Sequence, residues 1–171
     1  MKFHTVLGRL KNSKNIYKMK TAIVISDTHG RRANLKLIEG ILPETDYLFF
    51  LGDGFNDVRE LALKYPQKVV AVLGNCDGGH GEKFLEVEGV KIMLTHGHDY
   101  GVKRGLLELY YKACEVGVKV VFYGHTHTSN VTTEGNITMI NPGALSSYIP
   151  SYAYVVFDNG KFYEKIVERT F

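Results

Sequence analysis

Two histidines, His125 and His127, are the side chains whose type and spacing point most directly to chemistry. They lie in a Gly-His-Thr-His segment, directly after an apolar run at 118–122 that predicts a buried strand. In an extended chain alternate side chains share a face, so we expect both imidazoles to point to the same side. Neutral imidazole is a common ligand of transition metals. The pair alone also fits an exposed strand or turn, so a metal site needs further ligands elsewhere in the chain.

Five further side chains that can bind metals follow other apolar runs, often beside a glycine. They are Asp27, His29, Asp53, Asn75 and His96. Together with the two histidines they form a set of nitrogen and oxygen ligands that is too large for one ion and suits two. Each oxygen of Asp53 could then bind a different ion. Because the set lacks a thiolate, hard to borderline metals such as manganese, iron, magnesium or zinc fit it best, and the ligand types do not choose among them. We expect manganese, with the other metals and nickel left open.

A pair of divalent metal ions in such a set would support displacement at phosphorus. Two ions about 3.5–4 Å apart can hold a bridging hydroxide, lower its pKa and neutralise phosphoryl oxygens in the transition state. Such a hydroxide attacks without a protein nucleophile. The sequence has neither a P-loop nor a dinucleotide-binding glycine pattern, which argues against phosphoryl transfer driven by a nucleotide.

The elements that must position the first ligands follow a β-α-β-α-β pattern. Strands are predicted at 21–26, 47–51 and 68–73, and helices at 31–41 and 57–65. Short loops between these elements imply parallel strands with right-handed crossovers. Ligands bind beyond the carboxyl ends of the strands in such folds, where Asp27, Asp53 and Asn75 lie.

The second half of the chain is richer in predicted strands. A hairpin around Glu88-Gly89 precedes a helix that ends at Gly117 and the strand that leads to His125. The hairpin strands are predicted at 84–87 and 91–95, the helix at 103–116, and four later strands at 131–133, 137–140, 152–157 and 162–167. The chain is therefore expected to be α/β with a β-rich finish.

Composition and charge restrict the class of protein further. The 171 residues suit one domain, and the 44% hydrophobic and 23% charged fractions are those of a globular protein. No apolar run is long enough to span a bilayer, so no membrane role is expected. Two cysteines do not make a disulfide framework, which favours a reduced, cytoplasmic setting.

The net charge of +3 comes from the N-terminal segment. Six of the 21 basic residues lie within residues 1–20, which hold no acidic residue, so the rest of the chain has 15 basic and 18 acidic residues. This balance argues against a nucleic-acid-binding face on the domain. We interpret residues 1–18 as a basic, disordered N-terminal extension, with a targeting segment or a nucleic-acid arm as alternatives. The segment lacks the apolar core of a secretory signal.

Five short motifs give the sequence a family resemblance. They are Asp27-x-His29, Gly52-Asp53, Gly74-Asn75, His96-Gly97 and Gly124-His125-x-His127, and they resemble the signature blocks of the calcineurin-like metallophosphoesterase superfamily. The Gly-Asn-Cys-Asp form at 74–77 and the Asn-Pro-Gly at 141–143 resemble its compact bacterial and archaeal phosphodiesterase branch. The resemblance implies a single metallophosphoesterase domain over 19–171. It also implies two packed mixed β-sheets flanked by helices, a four-layer αββα sandwich.

The resemblance also implies how the ligands divide between two divalent metal ions. One ion would be held by Asp27, His29, Asp53 and His127. The other would be held by Asp53, Asn75, His96 and His125, with Asp53 bridging. The residues expected to act in catalysis are Asp53, Asn75 and His96.

One departure from the family pattern concerns the expected substrate. The superfamily usually has a histidine after the asparagine of the third block, whereas this chain has Cys76. A thiol is a poor general acid at neutral pH, so the departure favours a small phosphodiester with a good leaving group. Cys76 could contact the phosphate or be a buried small residue. His98 could orient a ligand, contact substrate or be exposed, whereas His80 is expected to be solvated and Cys114 to lie in the core.

Two other functions remain as alternatives. One is a phosphomonoesterase, and the other is a non-catalytic module that binds proteins, as in the retromer subunit with this fold. Loss of a ligand would favour the module, and none of the expected ligands is missing. Tyr148, Tyr152 and Tyr154 could form a homodimer interface, although the last two alternate on a predicted strand and also fit the core.

Overall fold

The structure is a computed structural model that describes residues 19–169. The prediction for residues 1–18 lies outside these residues. The strands are β1 (Lys20–Ile25), β2 (Tyr47–Phe50), β3 (Val69–Ala71), β4 (Glu82–Val87), β5 (Val90–Thr95), β6 (Val120–Phe122), β7 (Ser129–Glu134), β8 (Ile137–Pro142), β9 (Ser151–Asp158) and β10 (Lys161–Glu168). The helices are α1 (Arg32–Ile41), α2 (Phe55–Lys64) and α3 (Leu107–Val116), with short 3₁₀ helices at Leu42–Glu44, Asn75–Asp77 and His98–Tyr100.

The strands form two five-stranded mixed sheets. The first has the order β10-β9-β1-β2-β3, in which β1, β2 and β3 are parallel and β9 and β10 are antiparallel. The second has the order β4-β5-β6-β8-β7, in which β5, β6 and β8 are parallel and β4 and β7 pair antiparallel at the edges. The predicted β-α-β-α-β start and β-rich finish are therefore confirmed.

The two sheets pack face to face between layers of helices. Alternate side chains of the central strands serve different layers, because successive strand residues point to opposite faces. Val24 and Phe49 pack against Leu94 and Phe122 between the sheets. The alternate residues of β1 and β2 pack under α1 and α2, and α3 covers the outer face of the second sheet. This arrangement is the expected four-layer αββα sandwich.

The topology gathers the carboxyl ends of several strands on one side of the molecule. The backbone N–H of Asp27, after β1, donates to the carbonyl of Gly52, after β2, at 2.9 Å. The backbone N–H of Gly124, after β6, donates to the carbonyl of His96, after β5, at 3.0 Å. These bonds join the loops that carry the candidate ligands within each sheet.

Helix α3 and its surroundings differ from the sequence prediction. The helix begins at Leu107 rather than at 103, because Gly105 has a φ of +150°, which no helical residue adopts. It buries Leu109 and Ala113, one turn apart, and leaves Cys114 exposed. The prediction that Cys114 lies in the core is therefore wrong. Apolar side chains surround this helix on several faces, so their spacing did not define the buried one.

The tyrosines considered for an interface have different positions. Tyr152 is buried and Tyr154 is half-buried, and both pack in the core beneath α1 and α2. Tyr148, by contrast, is 96% exposed. The homodimer stays a prediction.

No helix within residues 19–169 is long and apolar enough to cross a membrane.

Candidate metal centre

Left-handed backbone is concentrated in the loops that carry the candidate ligands. Among the non-glycine residues with positive φ, five are predicted ligands: Asp27 (54°), His29 (42°), Asp53 (61°), His125 (69°) and His127 (60°). Such conformations cost free energy and persist where the surrounding structure enforces them, often at functional sites. Since β6 ends at Phe122, the His-x-His segment at 125–127 lies in a loop. The expectation that the two imidazoles share a face of an extended strand is wrong.

Three of the predicted ligands form a first cluster. The Nε2 atom of His127 lies 3.0 Å from Oδ1 of Asp27 and 3.2 Å from Nε2 of His29. The Nε2 atom of His29 lies 3.6 Å from the same Asp27 oxygen. The three ligand atoms thus surround one small volume, although His127 is 98 or more positions from the other two residues in sequence.

A second cluster lies on the other side of Asp53. The Nε2 atom of His96 is 3.3 Å from Oδ2 of Asp53 and 3.2 Å from Nδ1 of His125. The same Asp53 oxygen lies 3.9 Å from Nε2 of His29, a member of the first cluster. The carboxylate of Asp53 therefore lies between the histidines of both clusters.

Asn75, the remaining predicted ligand, begins the 3₁₀ helix after β3. It is exposed, and its Nδ2 lies 3.5 Å from the thiol of Cys76. The backbone N–H of Cys76 donates to Oδ1 of Asp53 at 2.8 Å. This bond places Asn75 beside Asp53, although its side chain makes no hydrogen bond to the other predicted ligands in the described part of the chain. Cys76 is exposed, so the alternative of a buried small residue is wrong.

Two observations indicate that the imidazoles of the second cluster present unprotonated nitrogens. The Nδ1 atom of His96 lies 2.7 Å from the carbonyl of Leu51, which requires a proton on Nδ1, so the neutral tautomer of this ring has its lone pair on Nε2. Burial, followed by the charge of Lys103 and the neighbouring His96, lowers the pKa of His125 to about 4. Neutral imidazole is the form that binds a metal.

Asp27 shows that these residues fit metal ions. Its Oδ1 atom is buried and accepts no well-aligned hydrogen bond from residues 19–169, although Nε2 of His127 lies 3.0 Å away, and a buried carboxylate oxygen without such a bond is costly. The other oxygen of Asp27 accepts the backbone N–H of His125 at 3.1 Å. A divalent cation among the Asp27 oxygen and the nitrogens of His29 and His127 would compensate this charge. Imidazole and carboxylate suit manganese, iron and zinc.

Two glycines of the motifs are required by close approach of the loops. A Cβ on Gly74 would lie 2.1 Å from Oδ1 of Asp53, and one on Gly124 would lie 2.0 Å from Oγ of Ser26 and 2.9 Å from Oδ2 of Asp27. A side chain at either position would displace a carboxylate of the site. The Gly-Asn and Gly-His pairs are thus explained by steric contact with the ligands.

Asp77 supports the site from outside and was not singled out by the sequence. Its two carboxylate oxygens accept backbone N–H groups of Asp53 (2.8 Å), Gly54 (2.9 Å), Phe55 (2.8 Å) and Gly74 (3.0 Å). Burial alone would raise the pKa of Asp77, but these four donors lower it below its ordinary value. The ionised Asp77 therefore fixes the backbone of Asp53 and of the two residues that follow it.

Asp57 has a similar role in the first loop. The sequence predicted only a residue at the start of a helix, and Asp57 does lie in the first turn of α2. Its carboxylate also accepts the hydroxyl of Thr28 at 2.6 Å and the backbone N–H of Gly30 at 2.8 Å. Arg32 adds an ion pair at 3.3 Å. Asp57 thereby holds the loop that carries the first-block ligands, a contact between residues 27 to 29 positions apart that local sequence does not reveal.

Asn141 orients the loop of the two histidines. It is buried at the end of β8, where its Nδ2 donates to the carbonyl of Gly124 at 2.9 Å and to the hydroxyl of Thr126 at 3.0 Å. Its Oδ1 accepts the backbone N–H of Gly143 at 2.9 Å. The sequence predicted the end of this strand at 140, whereas Asn141 and Pro142 also belong to β8.

A cavity of about 690 Å³ opens beside the second cluster, between α2, β3 and the start of β4. Its wall includes Cys76, Asp77 and His80, with Phe55 and Lys83 further along. The cavity wall thus includes an apolar ring and a positive charge, although none of the predicted ligands lines it. It is large enough to accept a small organic ester group.

Comparison with known proteins agrees with the architecture and the motifs. The family described as calcineurin-like phosphoesterase superfamily domain matches residues 19–160. The chain is 35% identical over 155 residues to the probable metallophosphoesterase YsnB of Bacillus subtilis, which covers 84% of this chain and 90% of that protein. It is 27% identical over 155 residues to the phosphodiesterase YfcE of Escherichia coli, which covers 75% of this chain and 80% of that protein.

A solved structure gives the same result. A conserved Streptococcus pneumoniae protein described as a predicted phosphoesterase superimposes with a TM-score of 0.71 at 26% identity, covering 89% of this chain and 99% of that one. The fold and the strand-end site define a metallophosphoesterase, and this chain belongs to the calcineurin-like phosphoesterase superfamily.

Proposed function

We propose that this protein is a phosphodiesterase that uses two divalent metal ions, manganese foremost, to hydrolyse a small phosphodiester. The observation that carries the proposal is the position of Asp53, whose Oδ2 lies 3.3 Å from His96 of one cluster and 3.9 Å from His29 of the other. When bound, the two ions would supply a bridging hydroxide for in-line attack and would neutralise charge on the phosphoryl oxygens.

The protein's own residues would hold and orient this centre. Asp53 would bridge, with its backbone fixed by Asp77 and its Oδ1 by the N–H of Cys76. His96 keeps its proton on Nδ1 through Leu51, which leaves Nε2 for the site. Asn75 would add a neutral amide oxygen, which limits the total negative charge facing an anionic substrate.

The substrate class follows from what stands beside the site and from the relatives. Cys76 is the exposed residue next to Asp53, and its thiol is a weaker proton donor at neutral pH than an imidazolium. A diester with a good leaving group needs less protonation of that group than a monoester does. The Escherichia coli relative is named a phosphodiesterase, which supports the same choice. A cytoplasmic location stays a prediction.

The alternatives from the sequence receive less support. A non-catalytic protein-binding module of this fold would be expected to lack ligands, and all seven predicted ligands are present: Asp27, His29, Asp53, Asn75, His96, His125 and His127. A phosphomonoesterase would be favoured by an imidazole at position 76, where the chain has Cys76.

Hydrolysis of chromogenic esters tests the proposal. The full chain, loaded with Mn²⁺, is expected to hydrolyse bis(p-nitrophenyl) phosphate, and Asp53→Asn is expected to lower kcat/KM by about 100-fold or more. Asp158→Asn is the control, because Asp158 ends β9 opposite the start of β1, at the far end of the sheet. Circular dichroism would confirm that both variants fold. Full activity of Asp53→Asn, or an inactive wild type with both metal ions bound, would contradict the proposal.

Substitution of Cys76 tests the substrate class. Cys76→His is expected to raise hydrolysis of the monoester phenyl phosphate relative to bis(p-nitrophenyl) phosphate, because phenolate is a poorer leaving group than p-nitrophenolate and an imidazole can protonate it. Cys76→Ser is the matched control, since a hydroxyl of similar size adds no such acid. An equal monoester-to-diester ratio in all three proteins would remove Cys76 from the explanation of substrate choice.

A further inference from the structure

A second group of metal-binding side chains, His80, His98 and Asp99, lies outside the predicted ligand set. We propose that these three residues form a separate site for a single Zn²⁺ ion at the rim of the cavity beside Cys76. Their potential ligand atoms all lie within 4.8 Å of one another. The proposal is independent of whether the two clusters around Asp53 act in hydrolysis.

Strand pairing explains why these residues meet. β4 and β5 pair antiparallel with Glu82 opposite Thr95, so the chain entering β4 lies beside the chain leaving β5. His80 is two residues before Glu82, in a glycine-rich loop. His98 and Asp99 begin the 3₁₀ helix that follows β5. The hairpin register thus brings the loops together at their open end.

The distances within the group are those of ligands around one ion. The Nδ1 atom of His80 lies 2.8 Å from Oδ1 of Asp99 and 3.0 Å from Nε2 of His98, and that Nε2 lies 3.4 Å from the Asp99 oxygen. Tetrahedral ligands at zinc distances are about 3.3 Å apart. In the first cluster, in which Asp27, His29 and His127 face one another, the corresponding distances are slightly longer, at 3.0–3.6 Å.

Protons alone do not satisfy all three contacts. The Nδ1 atom of His80 can either donate one hydrogen bond or accept one, and it faces both a carboxylate oxygen and another imidazole nitrogen. If Nδ1 of His80 donates to Asp99, its single proton can reach His98 only as a hydrogen bond shared between the two acceptors. If it accepts from His98, its lone pair faces the oxygen of Asp99 at 2.8 Å. A cation among the three atoms makes every contact favourable.

The side chain of His98 is mostly buried and therefore held in place, whereas those of His80 and Asp99 are open to solvent. The side chain of His98 is 13% exposed, against 76% for His80 and 39% for Asp99. The Nδ1 atom of His98 is buried without a hydrogen-bond partner among the described residues, so contacts on Nε2 are what orient the ring. Two imidazoles and one carboxylate with an open position form a ligand set typical of Zn²⁺.

This group is distinct from the second cluster around Asp53. The rings of His98 and His96 have centroids 5.4 Å apart, and Nε2 of His96 is directed to Asp53 whereas Nε2 of His98 is directed to His80. His80 also lines the cavity beside Cys76. A cation held there would add positive charge to the cavity wall, next to the place where an anionic ester would enter.

Equilibrium dialysis of the full chain against buffered Zn²⁺, followed by elemental analysis, tests the proposal. His80→Ala and Asp99→Ala are each expected to bind about one equivalent of Zn²⁺ less than the wild type. Glu86→Gln, which changes an exposed residue of β4, is the control and should bind as the wild type does. Because only differences between proteins are compared, the result does not depend on the occupancy of the clusters around Asp53.

A spectroscopic measurement distinguishes this site from the others. Co²⁺ added to the Zn²⁺-free chain should give visible absorption bands. The decrease in absorbance relative to the wild type should be the same for His80→Ala and for Asp99→Ala. The substituted residues, His80 and Asp99, are both exposed, so both variants should keep the fold, which circular dichroism would check. Equal Zn²⁺ binding by the wild type and His80→Ala, or loss in only one of the two variants, would overturn the proposal.

Discussion

The carboxylate of Asp77 accepts the backbone N–H of Asp53 at 2.8 Å, so a side chain from the loop after β3 fixes the backbone of the loop after β2. Asp53 has a left-handed φ of 61°, which a non-glycine residue rarely adopts. Asp77 also accepts the N–H groups of Gly54 and Phe55, which follow Asp53, and that of Gly74 in its own loop. The unusual backbone of Asp53 is thus stabilised by a charge that never needs to touch a metal.

Asp77→Asn tests this support. The amide keeps one oxygen for two of the N–H donors but places an NH₂ group against the other two, so the free energy of unfolding should fall by about 3 kcal/mol. Urea denaturation of the metal-free protein measures the change. The control, Glu39→Gln on the exposed face of α1, should change stability by no more than about 0.5 kcal/mol. A loss for Asp77→Asn as small as the control's would contradict the supporting role.

The ionisation of Asp57 should make the free energy of unfolding depend on pH. Burial would raise the pKa of Asp57, but Thr28, the N–H of Gly30 and Arg32 lower it below its ordinary value. Because the folded-state pKa is depressed, the stability from this carboxylate is complete above the unfolded-state pKa of about 3.9. It is lost as the pH falls through the lower folded-state pKa.

Asp57→Asn should therefore be less stable than the wild type near neutral pH. This gap, the difference in unfolding free energy between the two proteins, should shrink below about pH 4. Urea unfolding in EDTA across this range measures the gap without interference from metal loss. Glu60→Gln, an exposed residue on the same helix, should give a gap near zero at every pH. A gap for Asp57→Asn that stays constant into acid would mean that its charge is not what stabilises the loop.

The arrangement of strands could be predicted because it depends on local patterns. Apolar runs that end in small polar residues marked the carboxyl ends of β1, β2 and β3, and parallel strands bring such ends to one edge of a sheet. The ligands after these strands, Asp27 and Asp53 among them, are therefore adjacent in the structure.

The backbone of the ligand loops could not be predicted in the same way. His125 and His127 lie in left-handed conformations that depend on contacts from distant loops, so alternation along an extended strand gave the wrong orientation. The supporting contacts of Asp57, Asp77 and Asn141 also join residues far apart or depend on a fixed loop conformation. No period in the sequence records such contacts.

The separation of His125 and His127 into different clusters predicts different metal losses. His127 faces Asp27 and His29, whereas His125 faces His96. Each single alanine variant should lose about one equivalent of Mn²⁺, because each leaves one cluster short of a ligand.

Double variants identify the cluster that each histidine serves. His127→Ala combined with His29→Ala should lose no more Mn²⁺ than His127→Ala alone, since both substitutions affect one ion. His127→Ala combined with His96→Ala should lose about two equivalents, because the substitutions affect different ions. Elemental analysis after dialysis against Mn²⁺ measures each case. Equal losses in the two double variants would show that the histidines share one ion.

Asn141 should control metal affinity without touching a metal. Its side chain makes hydrogen bonds to the carbonyl of Gly124, the hydroxyl of Thr126 and the N–H of Gly143, and it is fully buried. Asn141→Ala removes these bonds from the loop that carries both histidines, and loss of such supporting contacts typically weakens metal binding by about 10- to 100-fold. Mn²⁺ titration followed by calorimetry would measure this change.

A second variant separates orientation of the loop from simple loss of stability. Thr126→Val removes one hydroxyl contact of Asn141 at a half-buried position, so Mn²⁺ affinity should fall less than in Asn141→Ala and the unfolding free energy should fall by no more than about 1 kcal/mol. If Asn141→Ala bound Mn²⁺ as tightly as the wild type, the left-handed backbone of His125 and His127 would have to be held by other contacts, such as the Asp27 bond to the N–H of His125.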